Sequence, residues 1–331
     1  VTPASLETFL QILIQLDNDS PLFFRALAQI LEDLDAEAVP TIENTRWYEA
    51  RSAAISTRLL SSSIELDERP LPSADRMAID SFVFARVPAG NYIEGYPLRY
   101  EDAFGAPVRF QDAFYLLATE VSNRQFARFV ADNDKWSPDN RDLLAEEELA
   151  TVRYLEDWPD TWREWLDQPT GDDLYAADEP VRYVSWHASQ AFSNWFLTEY
   201  ESRLDTLDSE RWRVEIPRAI DWEYAAFLNG LGGPEIVVNL PGVVVTDYGR
   251  SGALGIHHMQ GNVWEWTSDW YALNRRVVRP SLGAQRVVIG GSYANSEVDH
   301  GMNGPQPPDW CTPFLGFRIA LYPTPWEESD G

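Results

Sequence analysis

The chain has 331 residues, of which 44% are apolar and 13% aromatic, so a sizeable core can be buried. Its formal charge of −27 argues against a face of clustered Lys and Arg for nucleic acid or an anionic membrane. The single cysteine, Cys311, excludes an internal disulfide, and no run of about 18 apolar residues offers a transmembrane helix.

Residues 1–60 read as helical. Thr2-Pro3 is a helix start, a hydroxyl cap followed by proline in the first turn. Leu6, Phe9, Leu10 and Leu13 then recur at helical spacing. Ser20-Pro21 repeats the signal ahead of Phe23, Phe24, Leu27, Ile30, Leu31 and Leu34, and Trp47, Ala50, Ala54 and Leu59 form a third stripe. Such stripes serve as core or, alternatively, as a docking face. Residues 61–80 are polar, carry two prolines and read as a linker.

At Phe82 the period changes. Phe82, Phe84 and Val87 run as a strand into the turn at Pro88-Ala89-Gly90. Phe114-Tyr115-Leu116 is another short apolar run, and Val121–Phe129 has a helical pattern. Residues 132–178 are acidic and Trp-rich, with three Glu at 146–148 and WPDTWREW at 158–165. They read as an insert whose tryptophans form its own core or, alternatively, a carbohydrate platform. Helices are expected over Trp186–Glu199 and Asp221–Asn229, and short strands and loops beyond Gly230.

The most specific segments follow in order. Gly261-Asn262-Val263-Trp264-Glu265-Trp266 is followed by Thr267-Ser268-Asp269-Trp270-Tyr271, then by RVVIGGSY at 286–293 and by Gly316-Phe317-Arg318. Weaker matches are VPAGNY at 87–92, ATEVSNRQFARFV at 118–130, EPVRYVSWHASQAFSNW at 179–195 and IPRAIDWEYAA at 216–226. Together, over about residues 82–322, they resemble the formylglycine-generating-enzyme and sulfatase-modifying-factor family.

The resemblance implies an α+β fold related to the C-type lectin domain, with much irregular chain. It places that domain at 81–323, after the helical region and linker and before a tail at 324–331. Frequent Gly and Pro, short apolar runs and 14 Trp suit a core of loops pinned by large aromatics. The insert pattern PDTWREWL followed by EPVRYVSW is similar to that of gliding-motility lipoproteins of the same superfamily, which are structural components.

In the family's oxidases two cysteines just after the Gly-Gly-Ser-Tyr segment bind Cu(I), a soft ion suited to thiolates. Those positions fall on Asn295 and His300 here, so no copper is expected. Trp264 and Ser292 match residues lining the family's pocket. A structural calcium is implied at His258, the carbonyls of Gly261 and Val263, and Glu265; histidine at 258 removes one oxygen, so the site is expected to be weakened or lost. A second branch, the iron-dependent sulfoxide synthases, takes three histidines from an N-terminal helical domain. The four histidines here are His187, His257, His258 and His300, so that ligand set is excluded.

Adjacent His257 and His258 are expected on opposite faces of a strand. Arg318 is expected as a buried, paired arginine, and Glu265 as a hydrogen-bonded structural carboxylate. His300, Cys311 and Asp299 offer a rearranged metal site as an alternative. The leading expectation is a binding or scaffolding subunit of an extracytoplasmic protein assembly. Its surface is formed by Tyr293, Asn295, Glu297, Asp299, His300, Asn303 and Trp310, and its partners are other protein subunits. A metal-dependent oxidase and a lectin-like receptor are the alternatives. The opening at Val1 instead of Met is read as the mark of a removed upstream segment, compatible with a lipid anchor ahead of Val1.

Overall fold

The computed structural model describes residues 76–93, 108–167, 174–204, 211–230, 236–271, 285–298 and 302–324. The helical region expected at 1–60 lies outside them. Two compact units are distinguished. In the smaller one the described residues form a hairpin, β3 (Gly90–Ile93) against β4 (Val108–Gln111), antiparallel with Gly90 opposite Gln111.

In the larger unit the described residues form two sheets. The first has five strands: β1 (Arg76–Ile79), β2 (Phe82–Val87), β5 (Phe114–Leu117), β11 (Ala320–Thr324) and β6 (Arg211–Glu215), antiparallel in that spatial order. Central β5 is buried along its whole length, as expected of a continuous apolar run. β1 corrects the linker expected at 61–80. Arg76 and Ala78 face out while Met77 and Ile79 face in, and four residues give too short an alternation to stand out from a polar segment. The second sheet is ordered β10 (Leu315–Gly316), β7 (Trp264–Trp270), β8 (Arg286–Ile289) and β9 (Asn303–Gln306).

Three longer helices pack on this frame. α1 (Asn123–Asp132) starts at a capping box in which the Ser122 hydroxyl accepts from the Gln125 N–H and the Gln125 side chain accepts from the Ser122 N–H. α5 (Trp186–Leu204) is capped by Ser185, whose hydroxyl accepts from the Ala188 N–H at 3.1 Å. It buries Ala188, Phe192, Phe196, Tyr200 and Leu204, spaced by four, and so runs a turn past its expected end at Glu199. α6 (Ala219–Leu228) is buried on nearly all sides. The main core lies between the first sheet and the helices. Phe192 is its centre, with Phe126, Phe129, Phe317 and Trp195 at ring distances of 5.3–5.7 Å.

The acidic insert contains short helices α2 (Arg141–Glu146), α3 (Glu164–Asp167) and α4 (Leu174–Asp178). Trp158, Trp162 and Trp165 are buried, which makes them insert core and not a platform. The Trp158 indole donates to Asn123 Oδ1 at 2.9 Å and Arg124 pairs with Asp178, fastening the insert to α1.

Candidate functional site

The chain crosses between the two sheets at Phe317–Ile319, directly after β10 and before β11. Arg318 sits at that crossing with no exposure. Its Nε and Nη2 donate to the two oxygens of Glu265 on β7, each at 2.6 Å. Nη1 donates to the carbonyl of Leu117 on β5, and Nη2 also to that of His257, both at 3.1 Å. One guanidinium thus ties both sheets and a loop. The Trp222 indole of α6 adds a third donor to Glu265 at 2.7 Å. Burial disfavours the Arg318 charge, but Glu265 outweighs it and raises its pKa. Burial pushes the Glu265 carboxyl up against the pull of Arg318, and three N–H groups aimed at its oxygens keep it the acceptor of the pair. The expectations for Arg318 and Glu265 hold in the structure.

Beside this pair lies a second that sequence reading missed. Glu120, in the link between β5 and α1, is fully buried. Its Oε1 accepts from Asn262 Nδ2 at 3.0 Å and its Oε2 faces His258 Nδ1 at 3.3 Å. The other ring nitrogen, Nε2, is 3.0 Å from the Tyr248 carbonyl, an obligate acceptor. Asn262 Nδ2 also lies 3.3 Å from Nδ1, so the ring is held at both nitrogens. Burial opposes its charge, but Glu120 prevails and holds His258 above its usual range. Burial likewise opposes the Glu120 charge, yet His258 and then Arg318 hold that carboxyl below its usual range. His257 and His258 lie in a loop and not on a strand, and His258 has φ +51°. His258 is buried and His257 half-exposed, so the expected split survives without the strand.

The backbone around these groups depends on glycine. Gly261 has φ +86°, and a Cβ there would overlap the Val237 carbonyl. Gly291 has φ +74°, and its Cβ would meet Val298 Cγ2 at 2.5 Å.

The residues at the implied calcium position do not fit the ion. Both Glu265 oxygens are engaged by Arg318 and Trp222, and His258 presents ring nitrogens, already facing Glu120 and the Tyr248 carbonyl, where an oxygen is needed. Among the described residues no three His, Cys, Asp or Glu side chains are grouped to hold a metal.

Near the implied oxidase pocket, Ser292 is buried and its hydroxyl and backbone N–H both meet Asn295 Oδ1, at 3.0 and 2.8 Å. Asn295 therefore closes a turn instead of supplying a ligand. Trp264 is half-buried, and its backbone N–H donates to the Phe314 carbonyl at 2.7 Å. Tyr293 corrects the expected surface. It is buried because its ring packs on Phe314 at 5.6 Å, and Phe314, which sequence reading passed over, is the exposed member. Glu297 is exposed, Asn303 half-buried on β9, and Trp310 46% exposed. Asp299 and His300 lie outside the described residues.

Trp310 is displayed because its loop is anchored from behind. Thr151, Tyr183 and Trp186 donate backbone N–H groups to the carbonyls of Asp309, Thr312 and Pro308. Cys311 is buried beside it, and burial pushes its thiol up to about 12, which leaves it neutral and a poor soft-metal ligand.

Comparison with known proteins agrees with this architecture. The model of the sulfatase-modifying factor enzyme 1-like domain matches residues 70–235 and 241–322. The formylglycine-generating enzyme of Bos taurus is 24% identical over 262 residues, covering 63% of this chain and 66% of that protein. The chain therefore spans just under two thirds of that relative's length. The inactive C-alpha-formylglycine-generating enzyme 2 of Bos taurus is 25% identical, covering 60% of this chain and 74% of that protein. Among solved structures, Treponema denticola variable protein 1 shares the fold, with a TM-score of 0.51 and 18% identity over 75% of this chain and 99% of its own. The chain belongs to the family of sulfatase-modifying factor enzyme 1-like domains.

Proposed function

We propose that this chain is a non-catalytic binding or scaffolding member of its family, acting in an extracytoplasmic protein assembly. The observation that carries the reading is the fate of the oxidase's two thiol positions. Asn295 is spent on Ser292, position 300 is histidine, and the one cysteine is buried and protonated. A bis-thiolate copper site cannot be assembled from one thiol. That the family includes a relative described as inactive makes such a loss familiar.

The contact surface is the face bearing Trp310 and Phe314, 46% and 39% exposed, with Glu297 and Asn303. Large aromatics on a rigidly held loop are typical anchors of protein interfaces. The acidic insert supplies a second contact region. At its border a recess of about 350 Å3 is lined by Asp132, Leu166, Trp195 and Glu199 among others. The partners on this reading are other protein subunits. Trp310→Ala combined with Phe314→Ala is expected to abolish association while leaving the melting temperature near that of the unmodified chain. Undiminished association would reject this surface.

A second reading, a metal-dependent oxidase with a rearranged site, has some support from hercynine oxygenase of Mycobacterium tuberculosis, 27% identical over 164 residues and covering 37% of that protein. It requires near-stoichiometric iron or copper in the purified chain, lost on His300→Ala.

A further inference from the structure

We infer that this protein has replaced its family's calcium at this site with side chains of its own: the His258 ring, with Arg318, bridges the buried carboxylates, so the site neither binds nor needs calcium.

Two buried acids, Glu120 and Glu265, stand close enough that the charge of Glu120 pushes the Glu265 carboxyl up. A divalent cation would ordinarily be the simplest way to hold such a pair. Here every carboxylate oxygen already faces a nitrogen partner. Glu265 Oε1 has Arg318, Oε2 has Arg318 and Trp222, Glu120 Oε1 has Asn262 and Oε2 has His258. The carboxylate oxygens that a dication would need are thus already engaged.

Calcium would have to recruit six to eight oxygens. Taking Glu265 would strip Arg318 of its partner in a position with no solvent, which is among the costlier changes a core can suffer. Taking position 258 would mean ligating an imidazole, a nitrogen donor that a hard cation does not favour.

The mechanical role is filled as well. A calcium ion joins segments that share no backbone pairing. His258 does this through its two nitrogens, spanning from Glu120 before α1 to the Tyr248 carbonyl in the loop that follows Thr246. Asn262, at φ +56°, completes the link. Its amide donates to Glu120 and its Oδ1 accepts from the Val244 N–H at 3.0 Å. Position 258 is therefore the switch between two solutions. Histidine gives a self-contained bridge, and an oxygen-bearing side chain gives a cation site.

The test is thermal unfolding of the whole chain and of His258→Asp and His258→Asn, each in EDTA and in excess CaCl2, with MgCl2 as control. The unmodified chain is expected to melt at the same temperature in all three and to retain no calcium by elemental analysis after dialysis. His258→Asp is expected to melt lower in EDTA and to regain about 5 °C or more in calcium, the shift given by a ligand well above its dissociation constant. A rise of that size in the unmodified chain, or one calcium retained per chain, would overturn the inference. So would a folded His258→Asp and a folded His258→Asn that both ignore calcium. If neither variant folds, the unmodified chain's response alone decides.

Discussion

Replacing Arg318 with Met keeps much of the side chain's length but removes every donor. Glu265 then keeps only the Trp222 indole, and the carbonyls of Leu117 and His257 lose a partner. Stranding one member of a buried ion pair costs about 3–5 kcal/mol. Each orphaned buried carbonyl adds roughly 1 kcal/mol or more. The expected loss is therefore about 5 kcal/mol, against a total stability of roughly 5–15 kcal/mol for a domain. At roughly 2–4 °C per kcal/mol, Arg318→Met should melt about 10–20 °C lower. Scanning calorimetry and urea unfolding measure this directly. The double variant Arg318→Met with Glu265→Leu removes both charges, so what loses a partner is the Trp222 N–H and the two carbonyls but no buried charge. It should be clearly more stable than Arg318→Met alone. If the single variant lies within about 1 kcal/mol of the unmodified chain, or the double variant is the worse of the two, Arg318 does not hold the sheets as argued.

Stability should also depend on pH in both directions. Glu120, held low, contributes stability that is present above the ordinary carboxylate range near ~4.3 and lost as pH falls through its depressed value. His258, held high, contributes stability that is full below about 6.5 and lost as pH rises through its raised value. The melting temperature should thus peak in mildly acidic buffer, and His258→Gln should flatten the alkaline limb. Cys311, with its thiol at about 12, should resist iodoacetamide in the native chain at neutral pH and react promptly in urea, as mass spectrometry would read. Phe192→Ala, which empties the centre of the aromatic core, should cost about 3–5 kcal/mol in urea unfolding.

Much of this fold was legible because its signals are local. The apolar run at Phe114-Tyr115-Leu116 is strand β5, the Trp run of the insert is buried, and the Gly-Phe-Arg motif marks a paired arginine. Gly261 and Gly291 stand where the backbone is left-handed. What escaped was non-local. Glu120 follows a run of apolar residues and carries no mark of a partner. Its bonds to His258 and Asn262 span 138 and 142 residues. Tyr293 is expected on the display surface with the segment that follows it, but its ring packs onto Phe314 and is buried. Strand β1 hid in a polar stretch because its outward residues resemble a linker. The helical pattern at 1–60 lies outside the described residues.

The central claim is that the chain works by binding and not by oxidation. Crosslinking mass spectrometry on the particle recovered by gentle purification from its source tests it most directly, because particle size and contact sites come from one sample. The account predicts a particle larger than one chain, with crosslinks from defined protein subunits to the Trp310 face or to residues 134–178. A bare monomer without crosslinked partners would contradict it.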